Sequence, residues 1–353
     1  MLTCACNSPT LWDSYVTSTA GGTPFHLCRW REIFEKTYEH PTYFLSANQE
    51  INGKQKIVGI LPLVHFSPPG KESRLISLPF LDFTGILADN SAIEQFLFEE
   101  ALALAEKVGA VHLELRQDHP LTFLQERGFA IPNQYSHQAH SFKVGLRRPL
   151  PASGEELWHS LDSKVRNQVR KARHCGCRDR VGGAELLAPF YSVFSENMRD
   201  LGSPVHSLSF FAEILQEFGK QAAIILIEGE GAPPVAAALV LQLGDTLYNP
   251  WASSLRAFRP LCPNMLLYWR MLSYGYEQGL GYFDFGRSSP GAPTYRFKKQ
   301  WGAEVRPLTW HIFSRKPHHW NPECESLAIE PWKELDLDLS RTTGPALRRW
   351  ISL

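Results

Sequence analysis

Residues 235–285, VAAALVLQLGDTLYNPWASSLRAFRPLCPNMLLYWRMLSYGYEQGLGYFDF, are the stretch on which the fold turns. Val235 to Leu243 and Thr246 to Ser253 are β-rich runs that read as strands. Pro263-Asn264 then starts a helix, because a proline in the first turn lacks only an N–H that would have no intrahelical partner. The helix runs to Gly279, and Tyr282 to Phe285 returns as a strand.

Upstream, helices are expected over 154 to 174, 184 to 201 and 207 to 219, followed by a strand from Ala222 to Glu228. The first 150 residues follow the same order. Helices at 9 to 20 and 26 to 39 precede strands at Tyr43 to Ala47, Lys56 to Phe66 and Leu75 to Leu78, with turn signals at Asn52-Gly53 and Pro68-Pro69-Gly70. Ser91 with Glu94 reads as a capping box opening a helix through Val108 that Gly109 ends. Val111 to Leu115 is a strand, Pro120 to Arg127 a short helix stopped by Gly128, and Tyr135 to Leu146 a strand. Composition shifts around Pro149-Leu150-Pro151, so the boundary is placed there: domains at 1–150 and 151–315, the second with the main site, and a tail at 316–353. Tandem duplication of one α/β unit is the simplest explanation of the repeat.

Composition narrows the function classes. The 36 basic and 36 acidic residues of the 353-residue chain balance, which argues against DNA or any globally basic nucleic-acid binder while allowing a local anion site. The seven cysteines, Cys4, Cys6, Cys28, Cys175, Cys177, Cys262 and Cys324, show no repeated CxxC spacing, so neither a disulfide framework nor a metal is expected. No secretory leader and no transmembrane run is read, giving a cytoplasmic expectation, with peripheral association at the inner membrane allowed.

Chemistry concentrates in Phe283 to Gly302. Asp284 between two phenylalanines points to the opposite face from them in a strand, which aims an acid at a cleft. Gly286 and Gly291 allow a ligand to approach the backbone, and Tyr295 and Lys298 share a helix face three residues apart. Asp284 and Arg287 are expected to orient an acceptor, Tyr295 and Lys298 to stabilise a donor, and Ser288 and Trp301 to contact substrate. The alternative is a strand–loop–helix corner with a structural Asp284–Arg287 pair and Trp301 in the core.

Four further groups are candidates for substrate binding. Arg166, Arg170 and Arg173 recur at helical spacing and form a cationic stripe suited to phosphates, the alternative being a solvated face. Asp82 and Arg116 are charged residues in apolar settings, with a structural Glu114–Arg116 pair as the competing reading. His206 is a candidate acid/base, though a lone histidine is more often structural.

Phe283-Asp284-Phe285-Gly286-Arg287-Ser288, Tyr295-x-Phe297-Lys298-Lys299-x-Trp301-Gly302, Asn197 to Pro204 and Pro263 to Trp269 together resemble the FemAB-like proteins of the XrtA/PEP-CTERM-associated type. Leu78-Pro79-Phe80, Glu114-Leu115-Arg116 and Val165 to Ala172 extend the resemblance, which covers most of residues 10 to 315. It implies an α/β (α+β) fold of two tandem GNAT-like units with mixed, mostly antiparallel sheets. It also implies acyl or aminoacyl transfer to an amine or hydroxyl in exopolysaccharide or envelope assembly linked to an exosortase system. The donor is then acyl-CoA or aminoacyl-tRNA, and the acceptor an anionic small molecule, a glycan or a lipid-linked precursor.

The sequence departs from that pattern in two places. Leu255 to Asn264, where a CoA-using GNAT enzyme has a glycine-rich cradle, holds no glycine and two prolines, leaving Arg256 and Arg259 to supply charge. The long helical arm of some Fem enzymes is missing. A non-catalytic protein that holds a glycan or lipid-linked precursor in the same cleft is therefore the rival reading.

Overall fold

The structure is a computed structural model that describes residues 2–5, 8–229, 231, 233–316 and 330–352. Cys6 and Cys324, and residues 317–329 and 353 of the tail expected at 316–353, lie outside the described residues. In chain order the first elements are β1 (Leu2–Ala5), α1 (Pro9–Ser18), α2 (Trp30–Tyr38), β2 (Thr42–Ile51), β3 (Lys54–Phe66), β4 (Arg74–Ile76), β5 (Leu87–Ala88), α3 (Ser91–Lys107), β6 (His112–Gln117) and β7 (Ser136–His140). There follow β8 (Val144–Pro149), α4 (Gly154–His159), α5 (Ser163–His174), β9 (Arg178–Gly182), α6 (Leu187–Asp200), α7 (Leu208–Phe218), β10 (Ala222–Glu228), β11 (Pro234–Leu243) and β12 (Thr246–Ser254). The last are α8 (Pro263–Glu277), β13 (Tyr282–Ser288), α9 (Pro293–Lys299), β14 (Glu304–Pro307), β15 (Thr309–Ser314), α10 (Glu330–Lys333) and α11 (Leu337–Arg348).

Two mixed sheets result, in two units. The first has the order β1-β2-β3-β4-β6-β15-β7 with β5 beside β3, and the second β14-β8-β13-β12-β11-β10-β9. In each, an antiparallel meander is followed by one helix and a parallel strand: β4 pairs with β6 across α3, and β12 with β13 across α8. That is the repeat read from the sequence.

The divisions differ from the expected ones. The stretch from Tyr135 to Leu146 is two strands, interrupted at 141–143, and its halves join different sheets. Accordingly the first unit runs through Val144, and the second begins at Gly145 rather than at Pro151. β15, expected in the second domain, pairs with β6 over six positions and belongs to the first unit. Both of its faces carry buried apolar residues, Trp310 and Ile312 on one and Phe313 on the other, so it fills a gap between β6 and β7 that the first 144 residues leave open.

Local signals fare unevenly. Pro120 to Arg127 is only a 3-10 turn at Thr122–Gln125. Asn90, not Ser91, caps α3, its side chain accepting from the Ile93 N–H. Glu94 is turned inward instead of closing a capping box, and accepts from the Thr122 backbone and hydroxyl at 2.8 Å each. A buried carboxylate needs such donors, and the Thr122 turn supplies them. The expected helix over 154–174 is broken at 160–162, where Ser160 Oγ accepts from Arg148 at 3.0 Å.

In the second unit α8 lies against the sheet through Met265, Leu266, Met271 and Leu272, all buried. Gly275 makes that approach possible, since a Cβ there would meet Leu150 Cδ1 at 2.8 Å. Gly279, at φ +72°, ends the helix in the left-handed region. The register of α8 on the sheet is therefore fixed at its last turns, and its N-terminus is presented where β12 ends.

Candidate functional site

β12 and β13 pair in parallel at only three positions, Thr246 with Tyr282, Leu247 with Phe283 and Tyr248 with Asp284. β12 continues to Ser254 and β13 to Ser288 without pairing to each other, so the two strands fork after Tyr248 and Asp284. A bulge on β12 accompanies the fork. Leu239 faces Trp251 and Leu241 faces Tyr248, so Asn249 and Pro250 together oppose Val240 on β11. Such a bulge bends the strand and re-aims its side chains.

Above the fork, a cleft of about 240 Å³ is lined by Lys164 and Gln168 of α5, Ser254, Arg259, Cys262 to Met265, and Phe297 and Gln300. The N-terminus of α8 forms its floor, so helix polarity and the two cations favour an anion. The loop does not form a glycine-type cradle. Pro260 and Pro263 carry no N–H, while the N–H groups of Cys262 and Met265 are bonded to the carbonyls of Arg259 and Cys262. The cations in the lining are Lys164 of α5 and Arg259 of the loop, while Arg256 does not line the cleft.

One polar contact joins β12 to α8 just past the last paired residues. The Asn249 side chain is buried, its amide 3.4 Å from the Tyr268 hydroxyl of α8, and its Oδ1 has no partner among the described residues. Burial pushes the Tyr268 phenol up to about 12, so it stays protonated. Tyr268 is packed between Phe285 and Trp301, and edge-on to Phe297, which lines the cleft. Ser254 and Ser288, one on each limb of the fork, have buried hydroxyl oxygens without partners among the described residues.

Asp284 is buried, and its Oδ1 accepts from the Gly286 N–H at 2.7 Å. Because Phe285 stacks on Tyr268, alternation along β13 turns Asp284 to the face away from α8. The cleft and the carboxylate thus lie on opposite faces of the sheet, beside one fork. Lys298 is half-buried and its ammonium donates to the Arg287 carbonyl at 2.8 Å, which joins α9 to the end of β13. Tyr295 is half-buried on α9, and Arg287 half-buried at the end of β13.

The other sequence candidates fall elsewhere. Arg166 and Arg170 stand on α5 but do not line the cleft; the neighbouring pair Lys164 and Gln168 does, at the same i, i+4 spacing. Arg170 instead lies over the Trp158 ring at 5.3 Å. Trp301 is fully buried in the core. His206 is buried and stacked on Phe210, with Nε2 3.1 Å from Arg348 Nε, and burial holds its pKa well below 6.5. It is a neutral acceptor for Arg348. In the first unit, Arg116 is fully buried, bonded to Glu114 at 2.8 Å and to the Ser352 carbonyl at 3.0 Å, and lies 4.0 Å over Trp310. Asp82 is half-buried in the loop that supplies the Leu81 carbonyl to Arg116.

Sequence reasoning missed Lys164, Gln168, Ser254 and Gln300. The spacing of Lys164 and Gln168 on α5 was a signal, but Ser254 and Gln300 meet only through tertiary packing. Cys28, Cys175, Cys177 and Cys262 are in no disulfide among the described residues. Among the described residues, no helix is long and apolar enough to cross a membrane.

Residues 160–299 match the acetyltransferase (GNAT) domain family, a segment that contains the fork, α8 and α9. The fold is that of tandem GNAT proteins. The structure of FemX is similar with a TM-score of 0.68 at 16% identity, over 88% of this chain and 96% of that one. A tandem GNAT protein from the clavulanic acid biosynthesis pathway gives 0.54 at 13% identity, over 90% and 100%. The C-terminal domain of a putative lysylphosphatidylglycerol synthetase from Agrobacterium fabrum gives 0.57 at 11% identity, over 88% and 92%. No curated protein was found to match in sequence.

Proposed function

We propose that the protein transfers an acyl or aminoacyl group, with the donor seated in the cleft over α8 and the acceptor approaching the fork from the Asp284 face. The observation that carries this is the fork itself, with an anion-favouring cleft on one face and a buried carboxylate on the other. In the reaction the acceptor amine or hydroxyl attacks the donor carbonyl. A new C–N or C–O bond forms, the thioester or ester bond breaks, and the acceptor proton ends on the departing thiol or hydroxyl. Asp284 orients the acceptor, and Lys164 and Arg259 place positive charge on the donor, Lys298 and Tyr295 standing on the face of α9 turned from Phe297 and Gln300.

The donor is an acyl-CoA or an aminoacyl-tRNA. The likeness to FemX and to the lysylphosphatidylglycerol synthetase domain supports the second, while the acetyltransferase match supports the first. The sequence resemblance supports an acceptor of exopolysaccharide or envelope assembly in a PEP-CTERM/exosortase setting, reached from the cytoplasm. Calorimetry with acetyl-CoA, a longer acyl-CoA and an aminoacyl-tRNA, followed by turnover of the donor that binds, tests the reading. Binding of at least one is expected. Binding of none, with only a glycan or lipid-linked molecule co-purifying, would establish the non-catalytic alternative.

A further inference from the structure

Resting on the acyl-transfer reading, we propose that the side-chain amide N–H of Asn249 hydrogen-bonds the carbonyl oxygen of the bound acyl group at the apex of the fork. Asn249 is the first residue after the paired segment of β12, and the bulge it shares with Pro250 sets its side chain on the α8 face, where it meets Tyr268. It is 5% exposed, and one end of its amide has no partner.

Hydrogen-bond logic decides which end that is. The two ends of a carboxamide are nearly isosteric, so the network determines the orientation. With nitrogen toward Tyr268, three groups are unsatisfied: the amide oxygen, the second amide N–H and the phenol proton, which has no other acceptor among the described residues. With oxygen toward Tyr268, the phenol donates to it and only the two amide N–H groups are free. Leaving two buried groups unsatisfied costs less than leaving three. The free group is then a donor, and it lies where β12 and β13 part, the place an acyl group must occupy to be reached from the Asp284 face.

A carbonyl oxygen is the ligand atom such a donor fits, and the bond strengthens as negative charge develops there during attack. Tyr268 acts as a positioning residue, holding the amide in this sense from a helix whose N-terminus floors the cleft.

The test compares two probe pairs on the full chain by calorimetry: CoA with acetyl-CoA, and a deacylated tRNA minihelix with its amide-linked aminoacyl form. Wild type is expected to prefer the acylated member of one pair by about tenfold, the worth of one good hydrogen bond. Asn249→Asp keeps an oxygen for Tyr268 but replaces the donor with an acceptor. It should lose that preference while holding the unacylated probe about as well as wild type. Tyr268→Phe should reduce the preference without abolishing it.

Equal affinity for both members in wild type, or a preference that survives in Asn249→Asp, overturns the proposal and leaves acyl transfer standing. If wild type binds neither pair, the acyl-transfer reading fails and takes the proposal with it. Should Asn249→Asp not fold, the infrared band of a ¹³C-labelled carbonyl in the probe that binds decides on wild type alone. A shift to lower wavenumber on binding is expected, and an unshifted band overturns the assignment.

Discussion

Asp284 is only 7% exposed, and a carboxylate in that position must be held by donors such as the Gly286 N–H. Asp284→Asn preserves an oxygen for Gly286, so the melting temperature should stay near wild type while turnover falls at least tenfold. A variant that unfolds but retains full specific activity in its folded fraction would make the carboxylate structural. Buried histidines give a second residue-scale prediction. Burial holds His26 and His311 at about 4, and His206 well below 6.5. The unfolded chain therefore takes up these protons first. Their stabilisation is complete above about pH 6.5 and drains away as pH falls towards 4, on the order of 3 kcal/mol for His26 alone. Denaturant melts between pH 7 and 4.5 should show this slope, and His206→Gln, which keeps an acceptor for Arg348, should make it shallower. An unchanged slope would place the acid sensitivity elsewhere.

Helix α5 shows how one element can offer two cationic stripes of which the fold uses one for the cleft. Lys164→Ala should weaken binding of the anionic donor several-fold, and more at low salt than at high, because the charge is exposed and screened over about 8 Å at physiological ionic strength. Arg166→Ala with Arg170→Ala should weaken it less, and only through the longer-range field. If the double variant is the more damaging, the arginine stripe holds the ligand after all. In α3, Asn90→Ala removes the capping acceptor and should cost about 1 kcal/mol. Glu94→Ala takes the acceptor from the Thr122 N–H and hydroxyl together and should cost more, about 1–3 kcal/mol by chemical denaturation. Equal costs would mean that Glu94 acts only near the helix end, as the sequence pattern of a capping box implies.

At the level of the whole chain, the first sheet is completed by β15, a strand that follows the entire second unit. A chain ended at Arg306 should therefore lose cooperative folding of the first unit, with β6 and β7 no longer bridged, while the second unit keeps its own sheet. Limited proteolysis followed by mass spectrometry would show early cleavage within residues 1–144 and a resistant core from the second unit. A resistant first unit in the truncated chain would contradict the role given to β15. The same connectivity implies that residues 1–150 expressed alone do not reproduce the first unit.

The sequence by itself determined the repeated order of helices, meander, helix and strand, because that order is written in local chemistry. Pro263 starts α8, Gly109 and Gly279 close α3 and α8, and the β-rich runs at Ala222, Val235 and Thr246 are strands within a residue of their expected limits. It also singled out the segment from Asp284 to Lys298, where an acid, a loop and a short basic helix follow one another. Tertiary structure alone decided the rest, since each of those choices depends on residues distant in the chain. β15 is a strand that any open edge could accept, and only the gap between β6 and β7 selects its sheet. The break of 135–146 into β7 and β8 follows from two sheets competing for one segment. Ser254, Gln300 and Lys164 lie far apart in sequence and share a cleft only because α5, α8 and α9 converge where β12 and β13 part.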